Sequence, residues 1–324
     1  MKTLQRDMLM AVILGLILPG LLLNLMVEPK KHQTVTEFTY VDEIDSVEKV
    51  DITILVRQED GDAQEMDMDT YIVGVVLAEM PASFEQEAKK AQSVAARTFA
   101  LKAKLTGGKH GDGSVCTASA CCQAYTTVEA YYDRGGKGET VADAETAVLA
   151  TSGQVLTFEG GLIEATYFSC SGGSTEDAIA VWGTEVPYLK AKESPGEENA
   201  KHYSDEVVFT PETFNKALGT NFSGDPAGWF GMTTYTAGDG VATMQIGGKT
   251  YEGTKLRSML GLRSTVFSVE VVSGEIRITT KGFGHRVGMS QYGADAMAAG
   301  GSSYREILAY YYPGTQLIRA DGDN

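Results

Sequence analysis

Residues 8–27 run for 20 positions without a charge, and Pro19 and Asn24 are the least apolar among them. A helix of that length spans about 30 Å, the hydrocarbon thickness of a bilayer. No small-x-small cleavage signature follows at Val27-Glu28-Pro29, so the run reads as an uncleaved membrane anchor and not as a signal peptide. The remaining fold must be built outside the lipid. Lys2 and Arg6 precede the run and Lys30 and Lys31 follow it, which leaves its orientation undecided by charge. Residues 28–48 are polar and irregular and read as a tether, with the folded domain expected over 49–320.

That domain is globular by composition, since the chain is 43% apolar and 22% charged. Its 43 acidic residues against 27 Lys and Arg give a net charge of -16. Counterion release from a polyphosphate cannot drive binding to such a surface, which excludes nucleic acid as a partner. Residues 50–56 alternate apolar and polar and predict a strand. A helix is expected over 71–78, ending near Glu79 because Pro81 disfavours helix at Met80. Ser83 and Gln86 have capping-box spacing ahead of a second helix to about Lys104, whose Ala88, Ala91, Ala95 and Phe99 form a small-residue core face. Strands are expected in 155–168 and 266–279, the latter a hairpin turning at Ser273-Gly274. Helices are expected over 290–299 and 304–311. The acidic stretch 193–206 reads as a solvated loop or a boundary between lobes. Strands and helices without βαβ alternation indicate an α+β fold, a single large mixed domain with room for two lobes around a groove.

Glu79 is the foremost catalytic candidate. A carboxyl at the C-terminus of an apolar helix meets the negative end of the macrodipole and is partly desolvated, and both favour the protonated form that can donate a proton. An ordinary surface glutamate is the alternative at this point.

The run Tyr71-Ile-Val-Gly-Val-Val-Leu-Ala-Glu79-Met-Pro-Ala-Ser-Phe, with Ala91-Gln-Ser-Val-Ala-Ala-Arg97-Thr-Phe-Ala, resembles the stage II sporulation protein D family of lytic transglycosylases. Three more blocks agree: Tyr167-Phe-Ser-Cys-Ser-Gly-Gly173, Val181-Trp-Gly-Thr-Glu-Val-Pro-Tyr-Leu189, and Gly282-Phe-Gly-His-Arg-Val-Gly-Met-Ser-Gln-Tyr-Gly-Ala294. The resemblance implies that Glu79 is catalytic and that the substrate is the bond from N-acetylmuramic acid to N-acetylglucosamine in peptidoglycan strands stripped of stem peptides by an amidase. It implies that the sugar's own C6 hydroxyl closes on C1 to leave a 1,6-anhydro end, so that one carboxyl suffices where ordinary glycosidases need two. It also implies residues 1–7 in the cytoplasm, the domain outside it between mother-cell and forespore membranes, and a membrane-bound amidase and other engulfment proteins as partners.

The two glycine-rich blocks are the implied groove walls, with Tyr167, Ser169, Ser171, Gly172, Gly173, His285, Ser290, Gln291 and Tyr292 as substrate-binding candidates; tight turns are the alternative for the glycines. Arg286 stands where the family more often has glycine. It and Arg97 are candidates for the lactyl carboxylate, with a core salt bridge as the alternative for Arg97.

His110, Cys116 and Cys122 suit Zn²⁺ by ligand type, though the spacing is unlike a zinc finger. Some clostridial-type relatives resemble this segment and bind a structural zinc, with no part in the chemistry. Cys121 is a possible fourth ligand that adjacency makes awkward, and a Cys116 to Cys122 disulfide is the alternative. Cys170 reads as a packed core residue. A thiol peptidase pairing Cys170 with His285 is the competing enzyme class, and a glycan-binding amidase enhancer that does not cut is the competing binding reading.

Overall fold

In the computed structural model, which describes residues 49–58 and 61–320, the alternation at 50–56 becomes strand β1 (Thr53–Arg57), paired antiparallel with β2 (Ala63–Asp67). The expected anchor and tether lie outside the described residues, among which no helix is long and apolar enough to cross a membrane. Helix α1 (Met68–Glu79) starts on Asp67, which accepts the Thr70 amide, and stops where Pro81 requires, with Met80 extended at φ -107°, ψ 128°.

Helix α2 (Gln86–Thr106) follows, but the Ser83–Gln86 capping box does not form. The Phe84 amide closes a turn on the Pro81 carbonyl that consumes Ser83, and Glu85 becomes the N-cap. Its amide is met by the Asp295 carboxylate, 210 residues away, at 2.7 Å. At the other end Gly107 is left-handed, a geometry glycine adopts at no steric cost. Ala88, Ala91, Ala95, Ala96 and Ala100 are fully buried, so α2 lets its neighbours approach closely.

The segment after Gly107 supplies β3 (Val115–Cys116), α3 (Val128–Asp133) and α4 (Gly138–Leu149). The apolar stretch 155–168 is cut by Glu159-Gly160, both at positive φ, into β4 (Gln154–Phe158) and β5 (Gly161–Leu162), with β6 (Tyr167–Phe168) beyond. After the short α5 (Ala178–Trp182), residues 204–281 build β7 (Ser204–Phe209), α6 (Pro211–Leu218), β8 (Phe230–Tyr235), β9 (Val241–Ile246), β10 (Lys249–Glu252), α7 (Gly253–Met259), β11 (Val266–Val272) and β12 (Glu275–Lys281). These close over a hydrophobic core of their own that includes Phe214, Trp229, Leu256 and Ile278. The β11–β12 hairpin turns at Ser273-Gly274, both left-handed, as the strand twist favours. The chain ends in β13 (Met289–Ser290), α8 (Gln291–Ala299), α9 (Tyr304–Tyr311) with a formed Ser303–Glu306 capping box, and β14 (Gln316–Arg319).

The sheets are small, ordered β2-β1-β3, β14-β4-β5, β13-β6, β11-β12-β7 and β10-β9-β8, so the expected α+β class holds with no single dominant sheet. The parallel pair of β6 with β13, and the bridge of Cys170 to Phe283, lay the two glycine-rich blocks side by side. The acidic stretch 193–206 is not a solvated loop throughout. Glu197 is 1% exposed because it accepts hydrogen bonds from the Ser171 amide and hydroxyl and from Ser194 and Cys170.

Candidate functional site

Residues 124–126 lie along α1 because Gly74 lets them. The Thr126 amide donates to the Gly74 carbonyl, and a Cβ at 74 would stand 2.3 Å from the Tyr125 ring. This docking brings the Ala124 amide to 2.8 Å from Glu79 Oε1. From α8, Gln291 donates its Nε2 to Glu79 Oε2 at 3.1 Å. Burial raises the Glu79 pKa above the usual carboxylate value, and the two donors pull it back only in part. The C-terminal end of α1 acts in the same direction as burial.

Glu79 opens into a cleft of about 530 Å³ and is the sole carboxylate lining it among the described residues. Tyr167, Ser169, His285 and Gln291 line the same cleft, so four of the substrate-binding candidates meet around Glu79. Tyr167 donates its hydroxyl to Gln123 Oε1 at 2.7 Å, and Gln123 Nε2 donates to the Tyr71 hydroxyl at 3.1 Å, which locks this wall. His285 accepts the Val287 amide at Nδ1, and burial pushes its pKa down to about 4. At neutral pH it is therefore an uncharged ring with its proton on Nε2. Its ring lies 5.6 Å from that of Trp182, which is 45% exposed. Trp182 and Gln123 line the cleft and are not among the candidates that the sequence offers. A tryptophan in the polar run Val181-Trp-Gly-Thr was a usable signal for an exposed ring, whereas nothing in the sequence could announce the backbone amide of Ala124.

The other candidates do not line the cleft. Ser171 is buried and bonded to Glu197. Gly172 lets its backbone meet residues 281–282, where a Cβ would come within 2.6 Å of the Lys281 carbonyl carbon. Gly173 is exposed on another face. Ser290 caps α8 by accepting the Gly293 amide, and Tyr292 packs edge-on against Phe84. Arg97 is fully buried and ion-paired with Asp69 at 2.9 Å, the core alternative. Arg286, left-handed at φ 67°, is also fully buried and donates to the carbonyls of Ser171, Ser174 and Gly238, so its guanidinium faces no groove. Its conformation explains why glycine suits the position. Cys170 is buried with its thiol against Glu197, and burial raises its pKa, so a nucleophile paired with His285 has no geometry here.

The four thiols are free, and His110, Cys116, Cys121 and Cys122 place their ligand atoms within 4.8 Å of one another. A tetrahedral Zn²⁺ with ordinary bond lengths needs S···S edges of about 3.8 Å and N···S edges of about 3.6 Å. Cys121 to Cys122 is 3.9 Å, and His110 Nε2 lies 3.8 Å and 3.5 Å from Cys121 and Cys122. The residues present therefore fit a metal ion such as zinc. Cys121 joins despite adjacency because its amide and that of Cys122 both donate to the Ala118 carbonyl, a turn that brings both thiols to one side. Cys121 and Cys122 also line the cleft, and Ala124 is two residues on.

A family profile described as "Stage II sporulation protein" matches residues 57–158, which include Glu79 and the three neighbouring cysteines. Over 269 residues the chain is 39% identical to stage II sporulation protein D of Bacillus subtilis (strain 168), spanning 82% of this chain and 78% of that one. It is 38% identical over 270 residues to the protein of the same name from Bacillus amyloliquefaciens, with the same shares covered. It is also 30% identical over 305 residues to the amidase enhancer of Bacillus subtilis (strain 168), spanning 75% of this chain and 40% of that protein.

Proposed function

Because the chain belongs to the stage II sporulation protein D family, we propose that it is a membrane-anchored lytic transglycosylase that cuts peptidoglycan strands during spore engulfment. The observation that carries this reading is a single part-buried carboxyl, raised in pKa, alone in a cleft. Among the described residues, two-carboxylate hydrolysis has no second group to use there. The cleft suits a reaction in which one residue gives and then takes a proton.

The Ala124 amide favours the carbonyl-like oxygen at Oε1, which leaves the acidic proton on Oε2. Glu79 then protonates the glycosidic oxygen as its bond to C1 breaks. The muramic acid C6 hydroxyl attacks C1, its proton passes to the Glu79 carboxylate, and a 1,6-anhydro end forms. An intramolecular nucleophile acts at high effective molarity, so no activated water is needed. Gln291 can turn its amide to suit either state, donating to the carboxylate or accepting from the acid. The exposed Trp182 ring offers a platform for a sugar face.

His110, Cys116, Cys121 and Cys122 would hold zinc, which as a structural ion would brace the loop that presents the Ala124 amide. Residues 1–7 would lie in the cytoplasm and the domain outside it, in the septal space, beside a membrane-bound peptidoglycan amidase and other engulfment proteins. The likeness to an amidase enhancer favours a second reading, in which the cleft binds glycan and stimulates a partner without cutting.

Mass spectrometry of denuded glycan separates the two. The full chain should release anhydro-ended fragments, and Glu79→Gln should release none while still binding the strand. Equal product from the variant removes Glu79 from the mechanism.

A further inference from the structure

Tyr71 opens the first of the motif blocks, is fully buried, and is not part of the cleft wall. It precedes Glu79 on α1 by two turns of helix, about 12 Å along the axis, and its polar and apolar ends are both turned to the docked segment. Its hydroxyl accepts Gln123 Nε2 at 3.1 Å, and its ring stacks on Tyr125 with centroids 5.5 Å apart and planes 15° from parallel. Gln123 and Tyr125 are the two neighbours of Ala124, whose amide holds Glu79 Oε1. One side chain of α1 thus fastens the chain on both sides of the donor that serves the last residue of the same helix.

The grip acts on the peptide that matters. The Ala124 N–H belongs to the planar unit that starts at the Gln123 carbonyl, so its direction follows the backbone torsions on either side of that unit. Gln123 is 2% exposed, and both ends of its side-chain amide are engaged, Nε2 on Tyr71 and Oε1 under the Tyr167 hydroxyl. The Tyr125 ring lies against Gly74 and is held by its stack, since its hydroxyl meets only the weak acceptor Met66 Sδ, at 3.6 Å. A hydrogen bond weakens steeply once its angle falls from about 150° towards 120°, so a modest tilt of the 123–124 peptide would take the donor off Oε1.

We propose that Tyr71 is a positioning residue for the Glu79 carboxyl, acting through the Gln123–Ala124 peptide. It touches neither the sugar nor the reacting atoms. When its hydroxyl is removed, the Ala124 amide drifts from Oε1 and a donor that stabilises the carboxylate is lost, so Glu79 keeps its proton to higher pH. The consequence for catalysis rests on the glycan-cutting reading, whereas the positioning itself does not.

Melting reads the carboxyl without any cutting. In the full chain in detergent, the melting temperature of Glu79→Gln minus that of its parent climbs with pH until Glu79 is ionised in the folded state. The same difference is taken in a Tyr71→Phe background, which keeps the ring, its volume and its stack and removes only the hydroxyl. Burial holds the Tyr71 phenol far above its ordinary pKa, so no charge is removed in this range. Tyr167, Lys109, His285, Cys121 and Cys122, the other titratable groups on the cleft among the described residues, are common to all four proteins and cancel in the comparison. The climb should end at higher pH in Tyr71→Phe, whereas Tyr125→Phe, which keeps its stack, should leave it in place. On denuded glycan, Tyr71→Phe should lower kcat about two- to tenfold, the scale of one net hydrogen bond, with KM unchanged. A climb that ends at the same or lower pH in Tyr71→Phe overturns the assignment, because a tyrosine that serves only the core lowers melting temperatures without moving the Glu79 titration. Equal displacement in Tyr125→Phe overturns it too, since general loosening of the segment would then be the cause. If the parent cuts no glycan, the cutting reading falls and the melting differences still decide this one.

Discussion

Arg97→Met separates a core arginine from a substrate-binding one. All five guanidinium N–H groups are engaged inside the protein: Nε and Nη2 on Asp69 Oδ1 at 3.2 and 2.9 Å, and the rest on the carbonyls of Thr151, Gln154 and Val148. Asp69 Oδ2 accepts the Ser152 hydroxyl at 2.5 Å, so one charged knot ties α1 and α2 to the turn before β4. Methionine fills much of the volume but leaves a buried carboxylate without its cation. Breaking one partner of such a pair costs about 3–5 kcal/mol. At about 2–4 °C per kcal/mol for a domain of this size, the melting temperature should fall on the order of 10 °C. Differential scanning calorimetry of the full chain in detergent reads that shift, and glycan titration well below the transition reads affinity, which should be unchanged. The pair Asp69→Leu with Arg97→Met should regain part of the loss, since no charge is then stranded. A single variant that melts within about 2 °C of the parent yet loses glycan binding would refute the assignment, because a stranded buried charge cannot be that cheap.

Gln291→Leu removes a donor that favours the Glu79 carboxylate, so the already raised pKa should rise further. Activity that needs the acid falls as pH climbs through that pKa, and the alkaline limb of the rate profile should move to higher pH; a limb that stays put or moves down contradicts this. For stability the sign is the same: a carboxyl with a raised folded pKa contributes fully below its unfolded pKa, and that contribution is lost as pH rises through the folded one. Glu79→Gln cannot ionise, so its melting temperature relative to the parent should climb with pH across that window. Elemental analysis should find about one zinc per chain, and stripping it with a chelator, or Cys122→Ser, should lower the melting temperature; identical melting with and without metal would end the bracing role. Trp182→Ala should weaken glycan binding about tenfold, as loss of an exposed aromatic anchor does, with calorimetric melting unchanged.

The local features legible in the sequence were those in which one physical cause dominates. Pro81 ended α1 at Glu79, Ser273-Gly274 made the hairpin turn, and α9 stopped ahead of Pro313-Gly314. The Ser83–Gln86 box failed because a cap is a competition, and Asp295, remote in sequence, won it for the Glu85 amide. Burial of Glu197 and Arg286 was hidden for the same reason. A charge is affordable inside when its partners arrive from elsewhere in the chain, and Ser171 and Gly238 are invisible as partners until the fold assembles them. At the site, Glu79 and Gln291 were readable as residue types in motifs, but the group that completes the carboxyl's environment is a backbone amide, brought there because Gly74 on Glu79's own helix lets the segment 124–126 dock.

That delivery explains why so small a constellation sits within so much surrounding structure. The Ala124 amide has no rotamer to select and can be aimed only by placing the whole segment, which α1 does through Gly74. Gln291, by contrast, reaches Glu79 from α8, whose start is fixed by the Ser290 cap and the pairing of β13 with β6. The two donors thus belong to separately braced elements, one of rigid polarity and one able to rotate. In the proposed reaction, where a single carboxyl is acid and then base, that asymmetry lets one oxygen stay a fixed acceptor while the other changes its proton.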